Sequence, residues 1–291
     1  MKKQKLIGKE AFDSFYKNIY SERWENLQKA FLLDAQYVAL NFSSTESYFL
    51  DAASVCASLC LPVLSQKKIA DLCAAPGGKT LVLAGNLSEN AILYANERSF
   101  ERKMRLCKVL NTHLDLKKQS QIEISCSDAS LWCKKMPETF DSILLDVPCS
   151  SERHVYLDKT YLSKWTPART KSLAIEQWAL LSSAWRLLLP DGFLLYSTCA
   201  LSPLENDCII EKLLKKFSNV EICSEQELIS VFKNNLSQFQ GKISVNQGEN
   251  LNHFFDLREK TKFAYEIFPD SSNGAGPLYF CLIHKKSSCP L

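Results

Sequence analysis

At 291 residues, with 46% hydrophobic residues and a formal net charge of +3, the chain has the length and apolar content for one large domain or two modest ones. Twelve scattered cysteines with no C-x-x-C pair, and four dispersed histidines, exclude a small disulfide scaffold and argue against a zinc site. No apolar run is long enough to span a bilayer, and a charge of +3 neither demands nor excludes a polyanionic partner.

The basic opening Met1-Lys2-Lys3-Gln4-Lys5 has the look of a signal n-region, but Lys9, Glu10 and Asp13 interrupt the apolar stretch that would have to follow. The expectation is a cytoplasmic protein whose cysteines are mostly reduced, buried, small hydrophobes. Residues 12–34 place Phe15, Ile19, Trp24, Leu27, Phe31 and Leu32 at helical spacing and predict one amphipathic helix. From about residue 67 short apolar runs alternate with helical periodicity. Strands are predicted at Ile69–Leu72, Ala91–Asn96, Gln121–Cys126, Ser142–Val147 and Phe193–Thr198. Helices are predicted from Lys79, over Ser99–Leu110, over Ala168–Leu189 and from Pro203. The stretch 224–262 reads as polar and irregular. Ala264–Phe268 and Leu278–Ile283 then form an antiparallel hairpin at the sheet edge. Strands apolar on both faces and alternating with helices make a mostly parallel, doubly wound α/β sheet. The expected organisation is a helical N-terminal extension over residues 1–60 and one catalytic domain over 61–291.

The run Asp71-Leu72-Cys73-Ala74-Ala75-Pro76-Gly77-Gly78-Lys79-Thr80 leaves a strand, turns through small residues and enters a helix. Small side chains let a ligand approach the backbone, and the helix start offers unpaired N–H groups. Gly78-Lys79-Thr80 resembles the end of a P-loop, but the first glycine that motif requires falls at Cys73; a dinucleotide G-x-G-x-x-G is absent as well. Glu97 ends the second strand about 20 residues past the glycines, where a carboxylate takes both ribose hydroxyls. Asp128 and Asp146 follow the third and fourth strands, so three acids line one crevice at the carboxyl ends of the strands. An acidic pocket suits a nucleoside carrying an amine and a sulfonium, and so S-adenosylmethionine over a phosphorylated nucleotide.

Cys149 and Cys199 follow the fourth and fifth strands and project into the same crevice. Either alone reads equally well as a buried thiol; together, at neighbouring strand ends, they point to chemistry. Ser202-Pro203-Leu204-Glu205 has the form of a capping box with proline at the first helical position. A helix start there would favour a thiolate.

These motifs resemble the Sun/Fmu family of RNA cytosine-5 methyltransferases, which also includes the Nol and Nop nucleolar proteins. The resemblance rests on the 71–80 run, Asn96-Glu97-Arg98-Ser99 with Arg102, Asp146-Val147-Pro148-Cys149-Ser150, and Tyr196-Ser197-Thr198-Cys199-Ala200-Leu201-Ser202-Pro203-Leu204-Glu205-Asn206. Weaker matches at Tyr48 to Ser54 and Gly276 to Ile283 extend it over roughly residues 45–285. It implies a Rossmann-like class I methyltransferase fold with S-adenosylmethionine as cofactor. By the same resemblance Cys73, Ala74, Ala75, Pro76, Gly77, Gly78, Lys79 and Thr80 wrap the methionine part, with Arg102 nearby. Glu97, where the family more often has Asp, holds the ribose, and Asp128 meets the adenine. Cys199 is the implied nucleophile, Cys149 assists product release, and Asp146 contacts the target base and borders the cofactor.

The chemistry needs such a set. Cytosine C5 is a poor nucleophile until a thiolate adds at C6, and a hydrogen-bonding acid at N3 stabilises the charge that develops. The base must be single-stranded or flipped to reach the pocket. Arg153, His154, Lys159, Lys164, Arg169 and Lys171 are candidate RNA contacts that read equally as a solvated surface. Compactness, Tyr20-Ser21-Glu22-Arg23-Trp24 and the 146–154 run resemble the mitochondrial-type branch acting on small-subunit ribosomal RNA. Transfer RNA remains the enzymatic alternative, a non-catalytic ribosome-assembly factor the other, and a ribosomal particle or accessory protein an expected partner. An amide-methylating enzyme would carry Asn/Asp-Pro-Pro-aromatic after the fourth strand. DNA cytosine-5 enzymes use the cysteine after that strand alone.

Overall fold

A computed structural model describes residues 7–42 and 46–287; the basic segment Met1–Lys5 lies outside them. In chain order the strands are β1 (Tyr37–Leu40), β2 (Tyr48–Asp51), β3 (Lys68–Asp71), β4 (Ile92–Asn96), β5 (Ile122–Ser125), β6 (Phe140–Asp146), β7 (Leu188–Thr198), β8 (Val220–Ile222), β9 (Glu259–Lys260), β10 (Tyr265–Ile267) and β11 (Leu278–Lys285). The large sheet runs β5-β4-β3-β6-β7-β11-β10-β9, with β8 paired to the far end of β11. Strands β3 to β7 are mutually parallel. β11 lies antiparallel between β7 and β10, so the predicted C-terminal hairpin is present. β1 and β2 form a separate antiparallel hairpin that the sequence reading left unassigned.

Burial explains why the central strands hold their place. Ile69, Ala70, Ile143, Leu144, Leu145, Leu194, Leu195 and Tyr196 are all fully buried, as strands covered on both faces require. One apolar layer packs the Ala52–Leu59, Gly78–Gly85 and Phe100–His113 helices on one face. The other packs the Ala168–Leu187 and Asp207–Lys216 helices. Chain order reverses direction at β3, which sits between β4 and β6, and a ligand crevice opens at such a switch.

Three expectations are corrected. The helix read over residues 12–34 is two helices, Lys9–Tyr20 and Arg23–Phe31, broken at Ser21 with φ 52°. The turn lets Tyr16 stack on Trp24 at 5.1 Å and rotates the buried face onto Phe12, Tyr16, Trp24, Leu27 and Phe31, leaving Leu32 exposed. Residues 224–262 are not irregular: they hold helices Glu225–Phe239 and Val245–Asp256, opened by capping boxes at Ser224/Glu227 and Ser244/Gln247. The helix expected from Pro203 begins instead at Asp207, and its N-cap Asn206 makes no side-chain cap.

Within residues 1–60 two kinds of packing occur. The first two helices join Val155, Leu162, Trp165 and Phe268 in a separate aromatic cluster. The β1–β2 hairpin and the Ala52–Leu59 helix instead contribute Val38, Leu40, Val55 and Leu59 to the core of the large sheet. Arg23 ties the helical pair to the C-terminal hairpin region. It forms paired hydrogen bonds to Glu259 at 2.6 Å and to Asp270 at 2.8 and 2.9 Å, with its guanidinium 4.1 Å over the Phe268 ring.

Candidate active site

Two hollows open along the carboxyl edge of β3, β4, β5, β6 and β7. The smaller, of about 180 Å³, is walled by Cys73, Glu97, Arg102, Asp128 and Pro148 among others. The larger cleft, of about 830 Å³, is walled by Lys79, Asp146, Ser151, His154, Cys199 and the Gly276–Leu278 turn among others. A narrow gap under Tyr48 lies between them, sharing Cys73 with the first and Lys79 and Asp146 with the second. Cys73, Lys79, Glu97, Asp128, Asp146 and Cys199 therefore converge on one edge of the sheet.

The 71–80 run is held from behind. Thr80 is fully buried, and its hydroxyl donates to Asp71 Oδ2 at 2.8 Å, so it braces the loop against β3 and does not face the hollows. Gly77 has φ 120°, a conformation suited to glycine. A Cβ at Gly77 would press on Val109 and Leu106, and one at Gly78 on Leu50 and Tyr48. Both glycines thus serve close packing of the turn. Asn96 binds three strand ends, donating to the Leu72 and Ser127 carbonyls at 3.2 and 3.0 Å and accepting from Ser125 Oγ at 2.9 Å. Arg102 donates to the Ala75 carbonyl at 2.8 Å, fixing the Pro76 turn to the Phe100–His113 helix.

Glu97 is buried at the end of β4. Its Oε1 accepts the Ser99 N–H at 2.8 Å. Its Oε2 has no hydrogen bond, although the Arg102 guanidinium stands 3.3 Å away in an ion pair. Asp128 lies across the same hollow and accepts the Ser130 N–H at 2.9 Å. A buried carboxylate oxygen without a hydrogen-bond donor, in a hollow with a second acid, is suited to vicinal hydroxyls and an amine. The residues present fit a nucleoside such as S-adenosylmethionine.

In the larger cleft Asp146 accepts from Lys79 Nζ at 2.7 Å and from Ser197 Oγ at 2.8 Å. Burial works against the Lys79 ammonium, yet the adjacent Asp146 charge keeps it above its ordinary value. Cys149 and Cys199 bring their sulfurs to 3.1 Å, with Ser151 Oγ at 3.4 Å from each. The hydrogen bond from Cys199 draws the Cys149 thiol down to about 7 against its burial, and Ser151 and Thr198 add to the effect. The same bond pushes the Cys199 thiol well up. The two thiols therefore titrate as one pair, whose first proton leaves near neutrality and whose second is held by the hydrogen bond between the sulfurs. Cys199, and not Cys149, forms part of the cleft wall.

Sequence reasoning placed the thiolate's support in a helix start after Cys199, and the structure corrects this. Glu205 makes no capping box; its carboxylate turns inward to Ser150 and Gln177. The thiolate's support comes from the other cysteine and Ser151. Of the expected RNA contacts, Arg153 lies on the wall of the larger cleft and donates to the carbonyls of Leu33, Gly274 and Gly276 at 2.6, 2.6 and 3.0 Å. His154 lines the cleft as well, while Lys159, Lys164, Arg169 and Lys171 do not. Asp71, Asn96 and Glu152 carry no sequence-level role and Glu205 only that of a cap; Asp71 acts through Thr80 of its own run, the others through partners on other segments.

Residues 58–276 match the family described as 16S rRNA methyltransferase RsmB/F. The 5-cytosine rRNA methyltransferase NSUN4 of Xenopus laevis is 31% identical over 245 residues, covering 82% of this chain and 56% of that protein. A mitochondrial tRNA (cytosine(34)-C(5))-methyltransferase of Danio rerio is 30% identical over 240 residues, covering 82% of this chain and 60% of its own length. A methyltransferase homologue from Pyrococcus horikoshii superposes with a TM-score of 0.64 at 20% identity, covering 94% of both chains. The fold is thus that of a Rossmann-like methyltransferase. The chain belongs to the RsmB/F family of S-adenosylmethionine-dependent methyltransferases, and it spans little more than half the length of the curated relatives that it matches.

Proposed function

We propose that this protein is an RNA methyltransferase that modifies carbon 5 of a cytosine, with Cys199 as covalent nucleophile and small-subunit ribosomal RNA as substrate. The observation that carries the reading is the pair of sulfurs 3.1 Å apart, with Cys199 on the cleft wall beside Asp146. A lone nucleophilic cysteine needs a base to lose its proton and a hydrogen-bond donor to steady the thiolate when it leaves; a second thiol at 3.1 Å can serve for both.

A cytosine turned out of its stack enters the larger cleft. The Cys199 thiolate adds to C6, forming a C–S bond, and electron density moves toward N3 and C5. Asp146 with Lys79 offers a hydrogen-bonding group and a positive charge where the density at N3 collects. Glu97, Asp128 and the Cys73–Lys79 turn would hold S-adenosylmethionine in the smaller hollow, where it would supply an electrophilic methyl group to C5. A base then takes the C5 proton, the C–S bond breaks, and Cys199 leaves as the thiolate that Cys149 and Ser151 stabilise. The ribosomal assignment is supported by the family match and by the frog relative's name. The zebrafish relative, of similar identity and coverage, favours transfer RNA as the second reading.

The test is a denaturing gel with cofactor and total RNA, comparing wild type, Cys149→Ala and Cys199→Ala. Accumulation of a heat-stable adduct by Cys149→Ala alone, with small-subunit ribosomal RNA in the trapped band, is the expected result. Transfer RNA in that band selects the second reading. No adduct from any variant that still binds S-adenosylmethionine overturns the mechanism and favours a non-catalytic role.

A further inference from the structure

Directly behind the two cysteines lie two glutamates that the reaction above does not use. Glu152, Glu205 and the Ser150 between them are fully buried. Ser150 Oγ is within hydrogen-bond reach of Glu152 Oε1 and, at 2.5 Å, of Glu205 Oε1. Among the described residues no cation pairs with either glutamate.

A serine hydroxyl owns one proton and donates one hydrogen bond. Were both carboxyls ionised, one of these contacts would set two bare oxygens together in the dry interior, at a cost no native core tolerates lightly. One carboxyl must therefore carry a proton and donate it to Ser150 Oγ. The remaining donors say which. Glu152 Oε1 also takes the Tyr16 hydroxyl, and its Oε2 takes the Leu201 N–H at 2.9 Å; donors meet both oxygens, as a carboxylate requires. Glu205 Oε2 takes the Ser150 N–H at 3.0 Å and Gln177 Nε2 at 2.8 Å, which leaves Oε1 facing only the Ser150 hydroxyl. Burial pushes both carboxyls up, Glu152 against the hydrogen bonds of Ser150, Tyr16 and Leu201, and Glu205, with the Glu152 charge beside it, to about 8, so the donors make the distinction. The other ionisable groups around the pair, Tyr16, Tyr20, Glu266 and Cys149, bring no positive charge to favour a second carboxylate.

We propose that Glu205 is a neutral carboxylic acid and Glu152 a carboxylate, and that the proton chain Glu205–Ser150–Glu152 clamps the two cysteine loops at their working separation. The connections cross. Glu152, three residues past Cys149, holds the backbone of Leu201, two past Cys199. Glu205, six past Cys199, holds the backbone of Ser150, next to Cys149. Both glutamates are positioning residues, acting on the sulfurs through the loops. Their importance for methylation rests on the mechanism proposed above, whereas the protonation assignment does not.

The experiment is infrared difference spectroscopy at pH 7 in light and heavy water, wild type minus Glu205→Gln, paired with the rate of alkylation of the cysteines by iodoacetamide. Glutamine keeps every bond that a neutral Glu205 makes, its N–H₂ donating to Ser150. The expected difference is the loss of one protonated-carboxyl carbonyl stretch. Alkylation should stay within about twofold of wild type in Glu205→Gln and change about tenfold or more in Glu205→Ala, where the clamp is cut. Loss of carboxylate stretches instead of the acid band, or equal alkylation of the Gln and Ala variants, overturns the proposal. If the acid band is lost as expected but no RNA adduct forms in any variant, the clamp stands and only the methylation reading fails.

Discussion

The Lys79 ammonium and the Asp146 carboxylate meet at 2.7 Å beside the gap that lies between the two hollows. One comes from the turn after β3 and the other from the end of β6, so the ion pair spans the switch point of the sheet. The larger cleft and the gap beneath Tyr48 therefore share a wall made of one positive and one negative charge.

Removing the lysine should expose that dependence. In Lys79→Met, Asp146 keeps Ser197 but loses its counter-ion in a site where Lys79 is only 14% exposed. We expect about 1–3 kcal/mol of lost stability in urea denaturation. Methyl incorporation from labelled S-adenosylmethionine should fall about 100-fold, with the loss mainly in kcat. An unchanged kcat would remove Lys79 from the reaction.

The thiol pair predicts a pH profile. Because the Cys149–Cys199 hydrogen bond brings one thiol to about 7, iodoacetamide should react faster as pH rises through neutrality. The rate at pH 6 should be about a tenth of its plateau. Cys199→Ala removes the donor, so the rise for Cys149 should move to higher pH. Coincident profiles for wild type and Cys199→Ala would show that the two thiols do not titrate as a pair.

Asp71 predicts a stability slope. Burial raises its carboxyl to about 7 from the usual 3.8, so between those values the folded state binds a proton that the unfolded chain has lost. Stability must then fall as pH rises through that window. Asp71→Asn keeps a neutral partner for Thr80 and should flatten the slope, by a few kcal/mol at most over the window. Denaturation midpoints at pH 5 and pH 7 for both proteins decide it; parallel slopes exclude Asp71.

Arg153 should behave as a structural residue. Its three carbonyl contacts bind the Leu33 and Gly274–Gly276 segments together. Arg153→Ala is expected to cost about 2–3 kcal/mol and to leave the salt dependence of RNA binding unchanged. A shallower salt slope with intact stability would return Arg153 to the RNA interface.

Much of the site was legible because its signals are local. A strand, a small-residue turn and a helix start are contiguous at 71–80, and Cys149 and Cys199 each follow an apolar run. What escaped needs a partner distant in sequence. Ser202-Pro203-Leu204-Glu205 carries a cap pattern, but Ser150 and Gln177, 55 and 28 residues from Glu205, offer it a buried network that outweighs a surface cap. The helices at 225–256 are a different case. Their capping boxes and the spacing of Leu228, Phe232, Leu236 and Phe239 were present, yet the polar residues between them hid the apolar stripe. Arg153 looked free for RNA because nothing local marks three backbone carbonyls as its destination.

The Lys9–Tyr20 helix ends, chemically, inside the catalytic edge. The Tyr16 hydroxyl donates to Glu152, and the Tyr20 hydroxyl donates to the Leu201 carbonyl at 2.7 Å. Trimming the protein to its sheet would therefore do more than shorten it. A truncated version would lose two of the pins that hold the loop after Cys199, and leave Glu152 searching for water in a cavity once filled by a ring. A fragment that keeps both pins has to include the Lys9–Tyr20 helix.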